Sequence, residues 1–502
     1  MSILLPHNPI YLRNVRMQTR PGLVMAVLGG AIVVVSLVLA LAARMHDPNG
    51  AAPWEATALC TLLALAGFVA VNACAVLVGG AAAGERLLGT LDVHRVGPSR
   101  PVALVAGFVV GAPALVWVLL LALAPVCLSL GLRAGLALGP LAGSLVSVAT
   151  TALVASLATL ALALGAGQSS RASLQTAGLA VGTGLLSLGY VGHVLHIAPL
   201  YYLSGVAPMV ALAVPGSASV PSAVLFGLPV PQLFYQALCQ GAAIICFGGA
   251  AVRLAGPGGR LPWTKIQMLT LCAFTLALFL GSMPGHPWFA GEQAPAFALA
   301  MGYAVLAVGV VAAVLVTPRH IHHARAWRRL QTSEDSFSLA AFDDGAGNFA
   351  WYLVYCALAM VAATAGLLLV PPRDVSAALC ILLLALFQTG WIAGGLETYY
   401  LSRHSYRRGA FFMTAAFPWL LFPMVGLWMR LDGGYPMFAP MLLSLSPVTG
   451  LWHVGKNATA AAGDWQSMEA IRTVAMPLLL NGCLAAATLL SAWVTRQRMH
   501  QA

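Results

Sequence analysis

Charge is what this sequence lacks. Only 8% of its 502 residues are Asp, Glu, Lys or Arg, about a third of the share usual in soluble domains. Hydrophobic residues make up 60%. So few charges cannot cover a surface in water, which excludes a soluble fold and implies a polytopic membrane protein. The net charge of +11 invites a nucleic-acid reading, but the placement of the basic residues accounts for it otherwise.

Other absences narrow the function. None of the nine cysteines forms a CxxC pair, and all lie in apolar runs. They read as small buried hydrophobes and mark no redox compartment. There is no HExxH, no pair of carboxylates at helical spacing inside a span, and no nucleophile–base arrangement. A membrane-embedded hydrolase or transferase is therefore disfavoured. Gly450 to Lys456 matches GxxxxGK, but Asn457 stands where a phosphate-binding loop needs Ser or Thr for magnesium. With no other such loop, the chain carries no nucleotide site or cofactor of its own, and any ATP hydrolysis belongs to a separate polypeptide.

What is present is a series of long apolar runs. Twelve reach spanning length: 23–43, 57–83, 102–130, 136–165, 174–198, 232–252, 266–283, 295–317, 349–370, 375–396, 411–429 and 473–494. Pro113 and Pro125 are kink points in the third. A polar, basic N-terminus precedes the first run, which reads as a retained span rather than a cleaved signal. With the N-terminus inside, nineteen of the 25 Lys and Arg residues fall on the inner side. The exceptions are Arg44, Arg133, Arg373, Arg430, Lys456 and Arg472. That asymmetry predicts both termini in the cytoplasm. Two proline-punctuated outer stretches, 199–231 and 435–452, read as short re-entrant or interfacial helices.

The stretch AGERLLGTLDVHRVGPSRP, 83–101, concentrates charge between spans two and three. As one helix over 84–98, it would place Leu87, Leu88 and Leu91 on one face and Glu85 with Asp92 opposite. Gly97-Pro98 would then end it. Such an exposed helix with an acidic stripe suits docking into a partner's groove. At the N-terminus, Asn8 can cap a helix that opens with Pro9. Arg13, Arg16 and Arg20 share a face of that helix, suited to lipid phosphates.

Glu85-x-x-x-Gly89-Thr90-Leu91-Asp92, directly after the second span, resembles the permease subunits of type-2 ABC transporters. So does the Asn8-Pro9-Ile10-Tyr11-Leu12-Arg13 opening. The resemblance covers residues 1 to about 260. It implies an all-α permease with an elbow helix at 8–20, a coupling helix at 84–98 and an outer re-entrant stretch at 199–231. It also implies ATPase coupling through Glu85, Leu87, Gly89, Thr90, Leu91 and Asp92. ATP and magnesium would be held by a separate ABC ATPase dimer. Two further spans follow in 261–317. Residues 318–502 read as a degenerate second unit, with an elbow-like 318–331, a coupling-like 397–410 carrying Glu397, Arg403 and Arg407, and an outer stretch 435–452. That second unit lacks the Gly-Thr-Leu and two spans.

Three clusters read as non-ligating: His193 with His196 as structural, His320 with His322 and His323 as solvated or lipid-facing, and Met413, Met424, Met429, Met437 and Met441 as apolar filler. An ion-coupled secondary transporter normally needs an ionisable group deep in a span. Here the in-span polar residues are the neutral Asn72, Gln175, Gln388 and Asn481. A secondary transporter, or a non-transporting scaffold or assembly factor, is the alternative to the exporter permease. The composition points to the inner membrane of a bacterium. Partners expected are the ATPase, membrane lipids and a second permease, identical or different, but no nucleic acid.

Overall fold

In the computed structural model, described residues are 8–44, 53–96, 100–165, 170–194, 197–204, 223–256, 263–282, 294–317, 348–369, 375–402, 421, 424–429, 438–446, 449–460 and 466–501. The protein is an all-α, multi-pass membrane protein. Among the described residues, eleven helices are long and apolar enough to cross a bilayer. They coincide with eleven of the expected runs; the twelfth, 411–429, lies mostly outside the described residues. The chain forms two compact units: Met1–Ala223 with Pro229–Pro262, and Val224–Leu228 with Trp263–Ala502.

The first unit begins with α1 (Pro9–Gln18), α2 (Pro21–Arg44), α3 (Trp54–Leu87) and the short α4 (Thr90–Val96). Next come α5 (Pro101–Gly111), α6 (Ala114–Arg133), α7 (Leu138–Gly165), α8 (Arg171–Val194), α9 (Ala198–Leu203) and α10 (Gln232–Ala255). The expected third span is two helices because Pro113, without an N–H and with its ring against the preceding turn, breaks it. Pro125 stays inside α6. The 34 residues of α3 extend roughly 51 Å, well beyond the ~30 Å of hydrocarbon. It is the central helix, packed on α2, α6, α7 and α8.

In lipid, burial of apolar surface does not by itself draw helices together, so close backbone approach and a few hydrogen bonds must do so. The contact of α3 with α8 is built that way. A Cβ on Gly178 would lie 2.8 Å from the Ala75 carbonyl oxygen, and one on Gly182 would lie 2.7 Å from Asn72 Oδ1. On α3, a Cβ on Gly79 would lie 2.8 Å from the Leu174 carbonyl. Asn72 Oδ1 also accepts the Thr183 hydroxyl at 3.1 Å.

The second unit contains α11 (Lys265–Ser282), α12 (Ala294–Val316), α13 (Asn348–Leu369), α14 (Val375–Ser402), α15 (Phe438–Ser444) and α16 (Thr449–Ala460). A final helix has a first turn at Met468–Ala470, a π turn at Ile471–Ala475 and a main body, α17, at Met476–Gln501. Pro477 lies two positions beyond the π turn and cannot donate to the Thr473 carbonyl four residues back within it. The central helix here is α14, packed on α12, α13, α16 and α17. Gly394 lets α17 approach it, since a Cβ there would lie 2.7 Å from the Leu489 nitrogen. Trp351 and Tyr355 of α13 are stacked at 5.5 Å and fully buried.

Each unit also holds a short helix that stops half way along its long neighbours. Helix α15 ends beside Gln388, at the middle of α14. Terminal carbonyls there have no water to bond, so side chains must supply donors. Gln388 Nε2 donates to the Ser444 and Ser446 carbonyls at 2.9 and 3.3 Å. Asn481 Nδ2 reaches Ser444 O at 3.3 Å and its hydroxyl at 3.1 Å. In the first unit, α9 ends beside Thr151, at the middle of α7. Thr151 Oγ1 donates to Ser204 O at 2.9 Å, and Gln240 Nε2 reaches Leu203 O at 3.4 Å and Thr151 Oγ1 at 2.9 Å.

Two predictions follow from these contacts. Gly178→Ala should destabilise the protein by about 1–3 kcal/mol through overpacking. Gly184→Ala, on the same helix with nothing near its added Cβ, should be neutral or stabilising by up to ~1 kcal/mol. Thermal unfolding in detergent compares them, and equal shifts would refute the close-approach account. By the same measurement, Gln388→Leu should destabilise by about 1–3 kcal/mol, because the Ser444 and Ser446 carbonyls each lose one buried donor, keeping Asn481 Nδ2 and the Gly450 N–H.

Candidate docking segment and two buried glutamates

The candidate site begins at the end of α3. Leu88 N–H donates to Gly84 O at 3.1 Å and Gly89 N–H to Arg86 O at 3.0 Å. Gly89 then adopts φ +69°, the left-handed conformation that ends helices and favours glycine. Thr90 opens α4 in a new direction. The expected continuous helix over 84–98 is thus two helices joined at Gly89.

That break overturns the expected acidic stripe. Glu85 remains in the last turn of α3 and is only 4% exposed. Its Oε1 receives Arg13 Nη1 at 2.6 Å. Its other carboxylate oxygen accepts the Thr90 hydroxyl, which also reaches the Glu85 backbone carbonyl at 3.0 Å. A buried carboxylate must be paired and hydrogen-bonded, and these partners do both. They also join three elements: α1 through Arg13, α3 through Glu85 and α4 through Thr90. Arg86 adds a fourth tie by donating to the Ala163 carbonyl of α7.

The leucines are redistributed as well. Leu91 is 1% exposed, whereas Leu87 and Leu88 are 65% and 63% exposed and Val93 is 69% exposed. Asp92 is exposed. The presented tip is therefore apolar, with Asp92 beside it, and Glu85 holds the tip from behind. Residues 97–99 lie outside the described residues.

Helix α1 is fixed by Asn8. Its side chain accepts Ile10 N–H at 3.0 Å and Tyr11 N–H at 3.3 Å, capping the helix. Its Nδ2 donates to the Ala103 carbonyl of α5. Pro9 occupies the first turn, where a missing N–H does no harm. Arg13, Arg16 and Arg20 are exposed and line a shallow groove with Pro9, Leu12 and Met17. Asn14 is buried with its Nδ2 unpartnered.

Glu397 of the second unit is buried near the end of α14. Its Oε2 accepts the Asn348 N–H at 2.9 Å, so a carboxylate faces the positive N-terminus of α13. Asn348 Nδ2 reaches Thr317 Oγ1 at 2.8 Å. Arg403, Arg407, the elbow-like 318–331, the three-histidine cluster and His196 lie outside the described residues, as does the side chain of His193. So do Met413 and Met437, while Met424 is exposed.

Gly450 to Asn457 lie within the helix α16 and form no phosphate-cradling loop. No group of three or more His, Cys, Asp or Glu capable of holding a metal occurs among the described residues. The Arg13–Glu85 pair, 72 residues apart, left no local trace in the sequence. A lone glutamate at the end of a span was the only available signal.

Comparison with protein-family models, curated proteins and solved structures finds no match.

Replacing either member of the ion pair should loosen the knot. Arg13→Glu or Glu85→Arg alone should lower stability by about 1–3 kcal/mol, and the Arg13→Glu/Glu85→Arg exchange should recover part of that loss. Equal additivity in a double-mutant cycle would show that the pair contributes nothing.

Proposed function

We propose that this chain is the permease of an ATP-driven type-2 ABC exporter, moving an unidentified substrate across a bacterial inner membrane with energy from a separate ATPase dimer. The observation that carries this reading is the knot at Glu85. An exposed apolar tip, Leu87, Leu88 and Val93, is tied by partly buried polar bonds to α1, α3 and α4. A tip that only bordered water would gain nothing from presenting three apolar side chains. Fitted into a groove of the ATPase, it would pass a push directly into α3. Gly178 and Gly182 press α8 against α3, so these two spans would move together.

In this reading both termini and the tip lie in the cytoplasm, following the Lys and Arg asymmetry. Helices α9 and α15 are outer re-entrant helices, and α1 is the elbow lying along the inner surface. ATP and magnesium are bound by the partner. The second unit is a degenerate copy in which Glu397 accepts a helix N-terminal N–H. One observation favours an ion-coupled secondary transporter instead. The side-chain oxygens of Gln388 and Asn481 are buried and unpartnered at mid-span.

Purification from the native host in mild detergent, with mass spectrometry and an ATPase assay, tests the reading. A soluble P-loop subunit should accompany the chain. The Leu87→Asp/Leu88→Asp variant should lower its retention or its coupled ATPase activity at least tenfold without shifting the unfolding temperature. No ATPase subunit and no hydrolysis would move the reading to the secondary transporter or the scaffold.

A further inference from the structure

Two surface features of the first unit extend beyond what its packing and docking tip use. One is the shallow groove on α1 with Arg13, Arg16 and Arg20 along it. The other is an apolar slot of about 290 Å³ between α2, α3 and α6, lined in part by Val27, Ala31, Val35, Leu65, Val69 and Leu120. Val27, Ala31 and Val35 are spaced four apart and share one face of α2.

The two features are linked along the chain. Arg20 immediately precedes α2, and Val27 lies seven residues further on, roughly 10 Å along the helix axis. Cations stand just before the first turn of α2, and an uncharged slot opens further along the same helix, from Val27 toward the middle of the span. That is the complement of a molecule with an anionic head and a hydrocarbon tail.

We infer that α1, α2, α3 and α6 form a binding site for one anionic phospholipid. Its phosphate lies on Arg16 and Arg20, with Arg13 at the inner edge, and one acyl chain occupies the slot. Guanidinium groups bind phosphate oxygens through paired N–H donors, and basic residues at a membrane surface attract anionic headgroups. A free phosphate would leave the slot unused. A second copy of the chain would bring three more arginines against the same cations.

Arg13 connects this site to the knot. Its Nη1 bonds Glu85 at 2.6 Å while the side chain keeps 47% exposure, so it can face both the carboxylate and a phosphate in the groove. The lipid thereby reinforces the attachment of α1 to the end of α3. This inference is independent of the exporter reading, because bound lipid can be measured without an ATPase.

The test is native mass spectrometry of the full chain titrated with phosphatidylglycerol or phosphatidylcholine carrying the same acyl chains. One phosphatidylglycerol should be retained at least tenfold better than phosphatidylcholine. Arg16→Gln/Arg20→Gln should abolish that preference, and glycerol phosphate should not displace the lipid. Ala31→Leu, which fills the slot and leaves the arginines intact, should reduce retention at least threefold and keeps the test open if the arginine variant fails to fold. Equal retention of the two lipids would overturn the site. So would displacement by glycerol phosphate, which marks an anion site without an acyl slot, or unchanged retention in both variants.

Discussion

A nearly charge-free interior governs how both units hold together. Lipid solvates leucine as well as a neighbouring helix does, so apolar matching alone does not fix which helices pair. Backbone proximity and scarce neutral hydrogen bonds take that role. Gly178 and Gly182 bring α8 onto α3, and Gly394 brings α17 onto α14. Where a helix ends inside the apolar layer, side-chain amides add donors, as Gln388 and Asn481 do for Ser444.

Against that background the two buried glutamates stand out. Each lies near the end of the central helix of its unit, and each is matched to a positive partner. Glu85 has the arginine of α1, and Glu397 has the N-terminus of α13. An ion pair with one half-exposed partner gains less Coulomb energy than a fully buried pair, but it also desolvates only one charge fully. Glu85 gains further from Thr90, which makes the turn at Gly89 part of the same network. The result is a small rigid corner that presents Leu87 and Leu88.

The corner also explains why the candidate site is only half legible in the sequence. The sequence marks Glu85, Gly89 and Thr90, and each has a defined place in the structure. Their division of labour was not readable. A helical projection assumes one axis, and Gly89 at φ +69° changes the axis. Glu85 therefore faces inward, while the three leucines expected on one face are split, Leu87 and Leu88 exposed and Leu91 buried.

Sequence alone determined the class of protein and the places where chain crosses apolar surroundings. Composition and run length are local properties, and about twenty apolar residues suffice to span the hydrocarbon. It also located the cap at Asn8, because a side-chain acceptor acts within a turn, and it marked Pro113 and Pro125 as kink points, of which only Pro113 separates two helices. Tertiary structure decided the rest. Arg13 meets Glu85 across 72 residues, Thr151 meets Ser204 across 53, and Gln388 meets Ser444 across 56. Those bonds depend on which helices are neighbours, and in an apolar solvent that choice is made by close approach between distant segments rather than by any periodicity within one.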